Sequence, residues 1–123
     1  MAMIACIDSD VLIDYFDGIP ASATELARYD TLFLSRISWM EVLVGARNPK
    51  LREVRENFLR HFKLIELDAA VARRAITLRQ EHRLRLPDAI VWASALVHRA
   101  LLITRNTKHF PRDYPGVRVP YAL

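Results

Sequence analysis

Three carboxylates lie where the surrounding sequence is apolar. Asp8 ends the run 3–7, and Glu41 is the only charge in Trp39-Met40-Glu41-Val42-Leu43-Val44. Asp88 follows Pro87 among Leu84, Leu86, Ala89, Ile90 and Val91. Each has an ordinary explanation. Asp8 could cap the next helix, although Ser9 and Asp10 are equally placed. Ser38-Trp39-Met40-Glu41 matches a capping box, in which the Glu reaches back to the cap backbone. Asp88 could pair with a helix dipole, worth about 0.3–1 kcal/mol. As a set they say more, because clustered carboxylates repel and need a cation or a proton. All-oxygen ligation with no Cys/His pattern suits Mg²⁺, with Mn²⁺ as the substitute, over Zn²⁺. Such an ion accepts phosphate oxygens, and the chemistry is metal-assisted hydrolysis of a phosphodiester. Asp10, Asp14 and Asp17 are assigned to solvent or capping, and Asp113 to the surface.

The elements that position these acids follow from pattern. The run 3–7 reads as a buried strand, followed by a polar corner and a helix that ends by Gly18. Helices are expected over 21–29, 38–46 and 51–62, with Glu56 and Arg60 paired four apart in the last. Short strands are expected at 31–35 and 64–67. Asp68 can cap a helix running to about residue 83, with Val71, Ala75, Ile76 and Leu78 facing inward. Pro87 opens a wide-striped, central helix from a first-turn position, where its missing N–H costs nothing. A strand at 100–104, a polar corner at 105–110 and an edge strand at 117–119 complete the chain. Strands alternating with helices imply an α/β fold whose central, mostly parallel sheet has four to five short strands flanked by helices. Sites in such folds form outside the carboxyl ends of the strands. That rule points at two places, Asp8-Ser9-Asp10 and Thr104-Arg105-Asn106.

The 123 residues suit a single domain, 1–123, able to bury a core without staples. Hydrophobic residues make up 52% and charged residues 26%, a globular composition. The lone Cys6 is expected to be a small buried thiol, in keeping with a reducing cytoplasm. No stretch approaches the roughly 20 apolar residues of a membrane span, and Asp8 interrupts the N-terminal run too early for a signal peptide. The net charge of +4 favours a polyanionic partner such as nucleic acid.

Four segments carry a family resemblance. Asp8-Ser9-Asp10-Val11-Leu12-Ile13-Asp14 resembles the opening of PIN-domain proteins, and Ser38-x-x-Glu41-x-x-x-Gly45 their next helix. Leu86-Pro87-Asp88-Ala89-Ile90-x-x-Ala93-x-Ala95 and Leu102-Ile103-Thr104-Arg105-Asn106-x-x-x-Phe110 resemble their last two motifs, in order and spacing. Length and charge are most similar to VapC-type toxins of toxin–antitoxin pairs. The resemblance implies a PIN fold and an Mg²⁺-dependent endoribonuclease acting on RNA. It also implies a homodimer and a VapB-like antitoxin inserting a segment over the acidic site, in a higher assembly. By it, Asp8 and Asp88 are metal ligands, and Glu41 is the third acid, a ligand directly or through water. Asn106 joins them as a catalytic residue that orients a water or binds phosphate. Ser9, Thr104 and Arg105 are expected to position RNA phosphates, with Arg47, Lys50, Arg83 and Arg85 as further basic candidates.

One departure matters. Many relatives place a fourth acid where Asn106 or His109 stands here, so a second metal is in question. A surface loop is the plainer expectation for His109. Two rivals follow: a catalytically weak or inactive PIN-fold module that binds RNA or antitoxin, and an aspartyl phosphatase of the haloacid-dehalogenase type using Asp8-x-Asp10. The second lacks its acidic late motif, since Thr104-Arg105-Asn106-Thr107 holds no carboxylate.

Overall fold

The apolar run at the start of the chain forms the central strand, β1 (Ile4–Ile7), in which Ala5, Cys6 and Ile7 have no exposed surface. Strands covered on both faces read as continuous apolar runs for this reason. The computed structural model describes residues 3–110 and 113–123. In chain order β1 is followed by α1 (Ser9–Phe16), α2 (Pro20–Leu26), β2 (Thr31–Ser35), α3 (Arg36–Val44), α4 (Pro49–Leu59) and β3 (Lys63–Ile65). Then come α5 (Ala69–Glu81), α6 (Leu86–Val97), β4 (Leu101–Ile103) and β5 (Val117–Arg118). The sheet order is β3-β2-β1-β4-β5, and every pair is parallel. Gly18 closes the end of α1 at φ +80, a left-handed conformation that disfavours a Cβ.

Alternation along the strands divides the core between the two faces. Cys6 and Leu102 join Val71, Ala75, Leu78, Ala89, Val91 and Trp92 under α5 and α6. Ala5, Ile7 and Ile103 join Val11, Leu12, Leu34, Val42, Leu59 and Phe62 on the other face. Burial, then the charge of Asp8, pushes the Cys6 thiol up to about 12, so it stays protonated and inert.

Several expectations need correction. Helix α3 starts directly out of β2 with Ser35 as its cap, whose Oγ accepts the Ile37 N–H at 3.2 Å. Ser38 is therefore inside the helix and fully buried, and the capping box with Glu41 does not form. Ile76 is 54% exposed, because the inner stripe of α5 steps from Val71 to Ala75 to Leu78. Arg60 donates to Asn57 Oδ1 at 2.8 Å and is not paired with Glu56. Leu67 lies outside β3 and is 49% exposed. Among the described residues no helix is long and apolar enough to cross a membrane.

The edge strand β5 is held by a buried acid of α2. Glu25 accepts Arg118 Nε at 2.8 Å and Nη2 at 3.1 Å, and the Tyr29 hydroxyl as well. Burial alone would raise the Glu25 carboxyl, but the Arg118 and Tyr29 hydrogen bonds and the charges of Arg118 and Arg28 hold it below its ordinary value. A depressed carboxyl stabilises the fold above its unfolded pKa, and that contribution is lost as pH falls through the folded value. Glu25→Gln should therefore cost about 1–3 kcal/mol at pH 7 in denaturant unfolding. The gap from wild type should close at pH values well below 4.5, the ordinary carboxyl value.

Candidate active site

The carboxyl edge of the sheet collects the acids. Asp8 follows β1 and caps α1, its Oδ1 accepting the Ser9 N–H at 2.8 Å. Its other oxygen accepts the Thr104 hydroxyl at 2.8 Å, from the residue that follows β4. The parallel register sets Ile7 opposite Ile103 and so brings residues 96 apart in sequence into contact. Glu41, on the exposed side of α3, accepts the Ser9 hydroxyl at 3.1 Å. Asp88 is buried in the first turn of α6 and accepts Arg85 Nε at 3.0 Å. His109 stands beside it, with Nδ1 3.9 Å from the same carboxylate oxygen. This histidine sits in the turn 107–109, as expected of a loop residue, but its side chain is half-buried against an acid of the site.

The site carries excess negative charge. Burial, the charge of Asp10 and to a lesser degree that of Glu41 push Asp8 up to about 7, against the hydrogen bonds from Thr104 and Ser9. Asp10 is pushed up to about 6 by burial, opposed by the N–H and charge of Arg105. Arg85 is raised by its hydrogen bond and charge interaction with Asp88, and further by the charges of Glu41 and Asp8. Among the described residues no three His, Cys, Asp or Glu side chains are grouped to hold an ion as they stand. The donor chemistry fits a hard cation all the same. The pocket offers carboxylate and hydroxyl oxygens, and its charge already draws in a guanidinium.

The hydroxyls and the arginine expected to meet phosphate have other partners. Ser9 and Thr104 spend their protons on Glu41 and Asp8. Arg105 Nε and Nη2 grip Asp14 at 2.7 and 2.9 Å, a forked pair that leaves no fork for a phosphate. Asn106 turns into its own corner: its N–H donates to Thr104 Oγ1 at 3.0 Å, and its Oδ1 accepts the His109 N–H at 3.3 Å.

Three residues escaped the sequence reading. Asp14 is buried under Arg105 and Tyr121, whose hydroxyl donates to Asp14 Oδ2 at 2.7 Å. Asp10 is no solvated residue either. Its Oδ2 accepts the Arg105 N–H at 3.1 Å, and its Oδ1 is buried without a partner among the described residues. The four-residue spacing of Asp10 and Asp14 on α1 was the one local signal available.

Comparison with known proteins agrees with this architecture. The PIN domain family model matches residues 5–113, and the chain belongs to that family. This removes the haloacid-dehalogenase alternative. Ribonuclease VapC10 of Mycobacterium tuberculosis is 34% identical over 125 residues, covering 95% of this chain and 92% of that protein. Ribonuclease VapC19 of the same organism is 31% identical, covering 94% and 98%. Among solved structures, a chain of a toxin–antitoxin complex from Klebsiella pneumoniae superposes with a TM-score of 0.91 at 41% identity, covering 97% of this chain and 99% of that one. FitAcB from Neisseria gonorrhoeae, at 20% identity and a TM-score of 0.80, shares the fold.

Proposed function

We propose that this chain is the VapC-like toxin of a toxin–antitoxin pair, a cytoplasmic Mg²⁺-dependent endoribonuclease formed by one domain that works as a homodimer. The reading rests above all on the arrangement of Asp8, Glu41 and Asp88, three acids gathered around the exposed Arg85 at the carboxyl edge of a parallel sheet. Relatives named as ribonucleases over nearly the whole chain support it.

Asp8 and Asp88 are the residues to hold the ion, with Glu41 the third acid, directly or through water. When bound, Mg²⁺ withdraws charge from the scissile phosphate and makes a water more nucleophilic. The protein's own part is positioning. Thr104 fixes the orientation of Asp8, Ser9 that of Glu41, and Asn106 braces the Thr104 corner. Arg85, with 64% of its side chain exposed, can leave Asp88 to meet a phosphate. A cavity of about 500 Å³ beside Glu41, walled by Ile13, Ile37, Met40, Val44 and Pro87, suits the apolar part of an antitoxin segment laid over the site.

The test uses the purified protein and total RNA. Cleavage should require Mg²⁺, stop with EDTA and be absent in Asp88→Asn. Independently of activity, millimolar Mg²⁺ should raise the thermal midpoint of the wild type and leave that of Asp88→Asn in place. RNA binding without cleavage by the wild type would establish the binding-module alternative, which the missing fourth acid favours.

A further inference from the structure

A second cavity opens on the far side of His109. It measures about 330 Å³ and lies between the end of α5 and the corner before Phe110. His82, Arg83, Lys108, His109 and Tyr114 line it, with Glu81 the one acid in its wall among the described residues. Its aromatic wall is fixed. The Tyr114 hydroxyl and His82 Nδ1 are 2.6 Å apart, and the His82, Trp92 and Tyr114 rings pack against one another with centroids 4.8 to 5.1 Å apart. Arg83 and Lys108 are exposed, and neither has an ion-pair or hydrogen-bond partner among the described residues. Among the described residues the other two arginines near the acidic site each hold a carboxylate, Arg85 that of Asp88 and Arg105 that of Asp14. His109 belongs to both places, since it lines this cavity and stands beside Asp88.

We propose that this cavity is a subsite for one flanking nucleotide of a single-stranded RNA substrate. Arg83 and Lys108 hold its phosphate, and the His82–Tyr114 wall accepts its unstacked base. The inference rests on the ribonuclease reading and adds where the strand runs on leaving the acids. The chemistry matches the recognition of single strands, in which cations track the backbone and aromatic faces take bases without regard to sequence. The volume lies at the lower end for small-ligand sites, enough for one nucleotide and not for a helix. Free cations belong here because the acids themselves repel a polyanion. Two further cations beyond Asp88 give the strand purchase before the ion arrives.

The experiment measures binding apart from cleavage. A fluorescein-labelled, mixed-sequence single-stranded RNA about a dozen nucleotides long is titrated with protein in EDTA, across a range of salt, by fluorescence anisotropy. Wild type is compared with the double variant Arg83→Ala/Lys108→Ala and with a charge-matched control, Arg73→Ala/Arg74→Ala, on the exposed side of α5. Two lost phosphate contacts should make the salt slope shallower by about 1.4 and weaken binding roughly ten- to thirtyfold near 0.1 M salt. The control should stay within about twofold of wild type, since its cations meet no phosphate. Equal losses in both double variants would mean that net charge alone is read, and the subsite would be overturned. Unchanged binding in Arg83→Ala/Lys108→Ala would overturn it too, while Mg²⁺-dependent cleavage by the wild type would leave the ribonuclease reading standing. If the wild type binds RNA through these two cations and cuts nothing, the subsite stands and the ribonuclease reading fails.

Discussion

Asp8→Asn should abolish RNA cleavage and make the protein more stable. The loss follows from position. The carboxylate is the strand-end acid on which both the Thr104 and Ser9 contacts converge, and an amide is a poor partner for a hard cation. Metal-based charge stabilisation is worth several kcal/mol in a transition state, so cleavage should fall roughly 10²–10⁴-fold. The gain follows from electrostatics. The asparagine still caps α1, since Asn and Asp are comparable caps. It no longer places a charge in a buried site that Asp10 and Glu41 already make negative. Wild-type cleavage rates in this variant would show that Asp8 is not a ligand.

The sign of the pH dependence is opposite to that of most aspartates. Asp8 titrates near 7 in the fold against an ordinary 3.8. Between those values the native state keeps a proton that the unfolded chain has released, so stability falls as pH rises through that window and stays low above it. Protein stripped with EDTA should therefore unfold at a lower temperature at pH 8 than at pH 5. Asp8→Asn should remove most of that difference, a recovery of about 1–3 kcal/mol at pH 8 by differential scanning calorimetry. A residual slope of the same sign should persist, because Asp10 is also raised, to about 6. Mg²⁺ at pH 8 should restore the wild type by supplying the missing positive charge and should leave the variant where it is. A variant less stable than wild type at pH 8 would mean that the Thr104 hydrogen bond outweighs the repulsion.

The positions of Asp8 after the first strand and Asp88 in the first turn of α6 could be read from the sequence because their signals are local. One ends an apolar run, and the other follows a helix-opening proline. The strand–helix alternation gave the parallel sheet by the same means, since burial on both faces leaves uninterrupted apolar runs at Ile4–Ile7 and Leu101–Ile103. Glu41 was found for a reason that does not hold. It lies on the exposed side of its helix, and what ties it to the site is Ser9, 32 residues away. Ser38 looked like a cap because its spacing to Glu41 was right, but a cap is set by where the strand stops, and β2 stops at Ser35. The pairings of Asp14 with Arg105 and Tyr121 were out of reach altogether. The two partners lie 91 and 107 residues off, and such pairings depend on which strand ends meet at one edge.

The same long-range pairing makes Arg105→Ala an informative variant, with an expected loss of about 3–5 kcal/mol, the range for removing one partner of a buried ion pair. Asp14 is 4% exposed, and without the guanidinium its carboxyl group would be left buried with, among the described residues, the Tyr121 hydroxyl alone. The guanidinium contributes two parallel hydrogen bonds, a geometry that an ammonium cannot copy, so Arg105→Lys should recover only part of the loss. Asp14→Asn in the Arg105→Ala background removes the stranded charge and should restore more stability than lysine does. The alternative for Arg105, drawn from its place in the last motif, is a phosphate contact. The two roles separate cleanly by measurement. An RNA-gripping arginine would leave the denaturation midpoint unchanged and flatten the salt dependence of RNA binding. The clasp seen here should shift the midpoint strongly. At temperatures where the variant remains folded, the salt slope should not move, because the side chain that was lost faced Asp14 and the C-terminal Tyr121 and never the strand being cut.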